Sequence, residues 1–311
     1  MIANLKIAVT HNLRAKIAYE LVMGLYKMRL SSGSELTVSL GVGNSRLGGL
    51  AAPQLLEKRE FDLAFLNPSA ITYLAYNGID PYPKKIDIRN LAIFPSWDRL
   101  GFAVKKNLGV KSLKEIAERK IPLKLSTRVQ GPYGTTEFTL RKILTFCGWS
   151  FEALESWGGK VDGVPYPEHP SRYEGLKQGA YDAVFDEGIR HWADIVLNQD
   201  MTFLPLEDSI LTAMERMGFR RAAIPKARFR LLENDVQTVN FSGWPLFCRT
   251  DFPNEDAYTI LKAIEEQKTT IPVDGDDLNF SRLCSDTDEG PLQIPLHDGA
   301  QKFYREHGYL S

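Results

Sequence analysis

The sequence predicts an α/β protein built as two lobes, and three observations carry that expectation. The chain has 311 residues, beyond the roughly 250–300 at which a single hydrophobic core stops growing. Short apolar runs of strand character alternate with segments whose apolar residues recur at helical spacing. Five of the strand runs end in small polar or glycine-rich sequence, and they fall in both halves of the chain.

Taken in order, Leu5–Val9 reads as a buried strand. Ile17, Ala18, Leu21, Val22 and Leu25 then fall on one helical face. Leu36–Leu40 alternates as a second strand, Gly41–Gly49 is a glycine-rich loop, and one helix runs to about Lys58. Phe61–Leu66 is an apolar strand. It ends at Asn67-Pro68, where an asparagine N-cap and a proline at the first helical position predict a helix start. Gly78 suits that helix's C-terminus. Leu91–Phe94, Gly101–Val104 and Leu123–Ser126 are further strands. The loop Gly131–Thr136 leads into a helix stopped by Gly148, and Ser171 with Glu174 has the spacing of a capping box. Tyr181–Phe185 is a strand followed at once by Asp186-Glu187-Gly188 and a helix. Val236–Cys248 is strand-like but broken by Gly243 and Pro245. Helices around Ala257–Ile264 and Ala300–Tyr304 close the chain.

Composition excludes several classes. With 38 Lys+Arg against 39 Asp+Glu the net charge is −1, which argues against a nucleic-acid partner. No window approaches the roughly 20 apolar residues of a membrane span. At 43% apolar residues the chain can bury enough surface to fold. Cys147, Cys248 and Cys284 are read as small buried hydrophobes, with a Cys248–Cys284 pair left open. The basic residues Arg216, Arg220, Arg221, Lys226, Arg228 and Arg230, and the acidic run from Asp274 to Glu289, read as solvated surface or a contact between lobes. Met1–Lys6 enters a strand without a basic region or apolar stretch before it. Either Met1 is the start of a cytoplasmic protein, or this is the mature form of a periplasmic one.

Catalytic and metal motifs fail. Gly41-Val42-Gly43-Asn44-Ser45-Arg46 has arginine where a dinucleotide fingerprint needs its third glycine. Around Asp274 the glycine is misplaced for a calcium loop. No two of the histidines 11, 169, 191, 297 and 307 lie close enough for a local zinc signature, and there is no nucleophile elbow. Neither metal nor cofactor is expected.

Binding chemistry concentrates at the strand ends, where open α/β sheets take their ligands. These are Thr10-His11-Asn12, Asn44-Ser45 with Arg46, Asn67 and Ser69, Gly134-Thr135-Thr136, and Asp186-Glu187. Several lead into helix N-termini, whose N–H groups suit an anion such as a carboxylate. Each is also an ordinary cap or turn residue. Arg46 or Arg128 can offer a bidentate fork to a carboxylate. Trp97 is either a core residue or an aromatic pocket wall. Asp186 and Glu187 point to different sides, so they are not an acid/base pair by spacing, and each reads equally as a salt-bridge partner.

Four segments carry a family resemblance. Asp62-Leu63-Ala64-Phe65 followed by Tyr76-Asn77-Gly78, the loop Gly131–Glu137, the stretch Gly175–Phe185 and above all the tail Pro295–Gly308 resemble TAXI-type solute receptors. These are binding subunits of one class of TRAP transporter, within the type II periplasmic-binding-protein superfamily and its NMT1/THI5-like relatives. The resemblance implies two α/β lobes joined by a hinge crossed twice, near Phe102 and Val239, with the ligand in the cleft between them. It makes lobe I discontinuous (1–101 and 240–311) and lobe II continuous (102–239). It implies a small, anionic ligand, a monomer, and membrane subunits of a TRAP transporter as partners if the chain is exported. Thr10–Ala15 and Gly43–Arg46 depart from the family at ligand-touching segments, so the ligand stays unnamed. Two other readings stay open: a cytoplasmic enzyme on the same bilobal fold, of the chorismate dehydratase or pyrimidine-precursor-synthase kind, and a cytoplasmic ligand sensor.

Overall fold

The computed structural model describes residues 2–10, 13–30, 35–43, 45–271, 273 and 278–311. The chain divides into two compact units, Met1–Trp97 with Ser242–Ser311, and Asp98–Phe241. His11, Asn12, Asn44, Asp274, Asp276 and Asp277 lie outside the described residues, as does the side chain of Ser45.

Unit 1 begins with β1 (Asn4–Thr10), α1 (Leu13–Leu30), β2 (Thr37–Gly43), α2 (Ser45–Gly48), α3 (Ala52–Glu57), β3 (Leu63–Phe65), α4 (Ala70–Asn77) and β4 (Ile88–Phe94). Unit 2 holds β5 (Gly101–Lys105), α5 (Leu113–Glu118), β6 (Lys124–Arg128), α6 (Thr135–Phe146), α7 (Phe151–Ser156), β7 (Lys160–Val164), α8 (Pro170–Lys177), β8 (Ala183–Asp186), α9 (Ala193–Leu197), β9 (Met201–Leu204), α10 (Asp208–Arg216), β10 (Arg221–Ile224) and β11 (Val236–Val239). Unit 1 resumes with β12 (Trp244–Arg249), α11 (Asn254–Glu266), α12 (Phe280–Leu283) and α13 (Asp298–Glu306).

The two units repeat one plan. The sheet of unit 1 has the order β2-β1-β3-β12-β4, and that of unit 2 the order β7-β6-β8-β5-β9. In each, three strands run parallel and the fourth is antiparallel to both its neighbours. The expected α/β fold in two lobes is therefore present, with mixed sheets. A separate antiparallel ribbon of β10 and β11 belongs to unit 2. The core of unit 1 lies between its sheet and helices α1, α11 and α13, with Ile17, Leu21, Ile260, Ile264 and Phe303 fully buried. In unit 2 the buried Phe102 and Phe185 pack together, their rings 5.2 Å apart.

Several local expectations are corrected. Gly41 and Gly43 belong to strand β2, because its parallel pairing with β1 continues to Thr10↔Gly43. At 41 a Cβ would stand 2.6 Å from the edge of the Phe61 ring, so a side chain there would have to displace that ring. The single helix expected up to Lys58 is two, α2 and α3, the second carrying Pro53 in its first turn. Asn67 does not cap a helix, because α4 starts at Ala70 and its cap position is Ser69. Its end at Gly78, with φ of 66°, is as the sequence suggests. The cap of α8 is His169, whose ring accepts from the Ser171 N–H, so Ser171 and Glu174 make no capping box. All three cysteines are buried and free. Among the described residues, no helix is long and apolar enough to cross a membrane.

Gly24 marks a close approach of α1 to α11. A Cβ on it would stand 2.1 Å from the Ala263 carbonyl oxygen. Gly24→Ala is therefore expected to destabilise the protein by about 1–3 kcal/mol through overpacking, against the ~1 kcal/mol that alanine gains over glycine in an unpacked helix. Urea denaturation reads the sign, and a more stable variant would contradict this crossing.

Candidate functional site

In unit 2 the parallel register of β6 and β8 pairs Thr127 with Phe185. The residues that follow, Arg128 and Asp186, therefore emerge side by side at the carboxyl edge of the sheet. Both are buried, Arg128 at 4% exposure and Asp186 at 0%. Arg128 Nη2 lies 3.1 Å from Asp186 Oδ1 and 2.7 Å from Glu187 Oε1. A second guanidinium meets the same carboxylate. Arg172 of α8, fully buried, donates from Nη1 to Asp186 Oδ2 at 2.6 Å and from Nε to Ser126 Oγ at 3.0 Å. The Glu187 N–H donates to Asp186 Oδ1 at 2.8 Å. Burial works against the charge of Arg128, but Asp186 and Glu187 more than offset it and hold its pKa above the ordinary guanidinium value.

Asp98 completes the cluster. Its Oδ1 accepts from the Gly188 N–H at 2.8 Å and the Arg99 N–H at 2.7 Å, and its carboxyl is hydrogen-bonded to that of Glu187. Burial, then the charge of Glu187, pushes the Asp98 pKa well above its ordinary value. Two carboxyl groups in contact share one proton. Arg128 and Arg172 face Asp186 and Glu187, and the cluster cross-links the ends of β6 and β8 to α8. Beside it, Glu137 fastens the β6–α6 loop by accepting from the Gln130 and Gly131 N–H groups at 2.7 and 3.0 Å. Gly134 precedes α6 with no side-chain cap, and Thr135 and Thr136 open the helix, both buried. The first amides of a helix have no partner within it.

In unit 1 the same edge is formed by the ends of β1 and β3 and the start of β12. Thr10 Oγ1 accepts from Arg14 Nε at 3.0 Å. The Arg14 guanidinium lies 5.4 Å from the centre of the Trp244 ring, and both side chains are 7% exposed. Ser69, at 1% exposure, donates from Oγ to the Ser242 carbonyl at 3.1 Å. Gly243 donates its N–H to Ser96 Oγ at 3.0 Å. Asn67 Oδ1 is buried and receives no hydrogen bond from the described residues.

The strand ends thus gather Thr10, Asn67 and Ser69 in unit 1, and Arg128, Gly134, Thr135, Thr136, Asp186 and Glu187 in unit 2. Arg46 is placed differently. It is exposed and pairs with Glu60 at 3.3 Å, and such surface pairs hold little energy. Trp97 is half-buried at the end of the first segment of unit 1. Asp186 and Glu187, expected to point to different sides, both reach Arg128 Nη2, at 3.1 and 2.7 Å. Sequence reasoning missed Arg14, Asp98, Arg172 and Trp244. Two of these carried a signal. Arg14 falls on the apolar stripe of α1 with Ala18, Leu21 and Leu25, and Arg172 shares a buried face with Leu176 four residues on.

Two predictions follow from the charges. Arg128→Leu strips a cation from buried carboxylates and should cost about 3–5 kcal/mol, whereas Arg46→Leu should change stability by no more than about 0.5 kcal/mol. Equal effects in denaturant titrations would contradict the cluster. The raised Asp98 pKa also fixes a sign. Above the unfolded carboxyl value of about 4, the folded state holds a proton that the unfolded state has lost. The stability it contributes is complete below that value and falls as pH rises towards the folded pKa, by at most about 1.4 kcal/mol per pH unit. Asp98→Asn keeps a donor to Glu187 and does not titrate, so its stability relative to the wild type should climb with pH from about 4 upward. Parallel pH profiles would rule out the shared proton.

Comparison with known proteins adds the following. Among solved structures the chain is similar to PhnD1 from Prochlorococcus marinus in complex with methylphosphonate (TM-score 0.48, 12% identity, 99% of each chain covered). It is also similar to a periplasmic transporter (TM-score 0.41, 14% identity, 99% of this chain and 94% of that one). A third likeness is to the periplasmic aliphatic sulphonate binding protein SsuA from Escherichia coli (TM-score 0.39, 11% identity, 86% and 74%). A family model described as the NMT1-like family matches residues 17–308, nearly the whole length, and the chain belongs to that family.

Proposed function

We propose that this chain is a solute-binding protein that takes a small organic anion, a carboxylate or amino acid, at its polar strand ends. The observation that carries this reading is the repetition. Two sheets of one strand order each end in hydroxyls, amides, a buried arginine and a helix start. A single catalytic centre does not need that layout twice, whereas binding through convergent polar groups on rigid elements does. Membership of the NMT1-like family supports it. In unit 2 the contacts are Gly134, Thr135, Thr136 and the outer edge of Glu187, with Arg128 set behind them in its ion pairs. In unit 1 they are Thr10, Asn67 and Ser69.

The four segments shared with TAXI-type receptors support the narrower reading, a receptor delivering its solute to the membrane subunits of a TRAP-type transporter. Closure around a ligand is then a shift between conformations that the free protein already samples.

A ligand that binds only the folded state raises the melting temperature by mass action. A thermal-shift screen of carboxylates, amino acids and phosphonates is expected to yield at least one stabilising acid, recovered unchanged after binding. A screen without a hit would contradict the reading. A hit that is consumed, with turnover abolished by Glu187→Ala, would replace it with the enzyme.

A further inference from the structure

The tail Pro295–Gly308 closes unit 1 through a buried histidine. Leu296 lies beside Asn90 of β4 in a parallel bridge. The Asn90 N–H donates to the Pro295 carbonyl at 3.0 Å, and the His297 N–H donates to the Asn90 carbonyl at 2.8 Å. The chain then turns into α13, with His297 at the cap position. There the Gly299 N–H donates to His297 Nδ1 at 3.2 Å. The helix start is drawn in close, since a Cβ on Gly299 would stand 2.2 Å from the Asn254 carbonyl oxygen at the start of α11. Further along α13, Phe303 and Tyr304 are fully buried, and the Tyr304 hydroxyl donates to the Leu91 carbonyl at 2.9 Å.

This cap differs from a serine or asparagine cap because its acceptor titrates. Nδ1 accepts only while it carries no proton, so the hydrogen of the neutral ring sits on Nε2. His297 is 1% exposed. Burial works against its charged form and holds its pKa below the ordinary imidazole value, although the Phe252 backbone, Asp298 and the Thr250 backbone act the other way. Arg89 of β4 adds to the effect of burial. Two nearby acids are taken up elsewhere. Asp251, in the turn before α11, pairs with Arg59 and Arg249, and Glu255 of α11 pairs with Lys302. A proton on Nδ1 turns the acceptor into a donor facing the Gly299 N–H. It also sets a cation at a helix N-terminus, where the dipole disfavours positive charge.

We infer that His297 is an acid-sensitive latch: its neutral ring holds the start of α13 in unit 1, and protonation of the ring releases the C-terminal helix. An undocked histidine takes up its proton near pH 6.5. The docked ring resists that proton, so the latch is complete above about pH 6.5 and weakens as pH falls below that value. His307, at the other end of α13, acts in the opposite sense, because its ring when protonated pairs with Glu265 of α11 at 3.0 Å. The latch does not depend on which solute the protein binds, or on whether it binds one.

Hydrogen exchange on the whole protein, followed by mass spectrometry, tests the latch. Data are taken as protection factors, which remove the intrinsic pH dependence of exchange. His297→Asn keeps a good capping side chain that does not titrate. The ratio of wild-type to variant protection over Asp298–Glu306 cancels His307, which both proteins carry. That ratio should be flat above about pH 6.5 and fall by up to about tenfold per pH unit towards about pH 5. Nitrogen NMR of the wild-type imidazoles provides the measurement if the variant does not fold. It should find His297 neutral at about pH 6.5, with Nδ1 bare and Nε2 protonated. A ratio that stays constant across this range, a ring protonated on Nδ1, or a ring already half charged at about pH 6.5 would overturn the latch.

Discussion

Asp186 stands at the point where β6 and β8 end, with no exposed surface, and the local structure of unit 2 is arranged to keep its charge there. A carboxylate out of water costs several kcal/mol. Two guanidinium groups and one backbone N–H offset that cost. Each of these then fixes something else. Arg172 ties α8 to β6 through Ser126, Arg128 holds Glu187, and Glu187 holds Asp98 at the entrance of the chain into unit 2. A set of charges that would be awkward singly thus becomes a rigid frame at the ends of β6 and β8.

Unit 1 solves the same geometric problem with less charge. Its strand ends are held mainly by hydroxyl and backbone bonds, Ser69 to Ser242 and Ser96 to Gly243. The cation there rests on an aromatic face and a threonine hydroxyl. Two sheets of one order therefore carry different electrostatics at corresponding edges. In unit 2 the arginines are matched by carboxylates of the same unit, and the edge presents hydroxyls and helix amides.

The alternation of strands and helices was legible because apolar periodicity is local, as in the stripe Ile17, Ala18, Leu21 and Leu25. The polar strand ends were legible for the same reason, since Thr135, Asp186 and Glu187 directly follow apolar runs or a glycine turn. Failures came where non-local contacts decide. Asn67 has the identity of a cap, yet the residues on either side of it are held by distant partners, the Leu66 N–H by the Pro245 carbonyl and the Ser69 N–H by the Ser242 carbonyl, and α4 opens only at Ala70. Gly41 looked like loop until strand pairing and the Phe61 ring placed it in β2. Arg14, Arg172 and Asp98 were passed over because charged residues are normally exposed. Their partners Trp244, Asp186 and Glu187 are distant in sequence or on other elements.

The central claim is that these strand ends bind a solute and release it intact. Titration calorimetry with a stabilising acid, followed by recovery of that acid, tests it most directly. The account predicts saturable binding of one molecule per chain and full recovery of unchanged acid. Heat without saturation, or an acid converted during the titration, would contradict it.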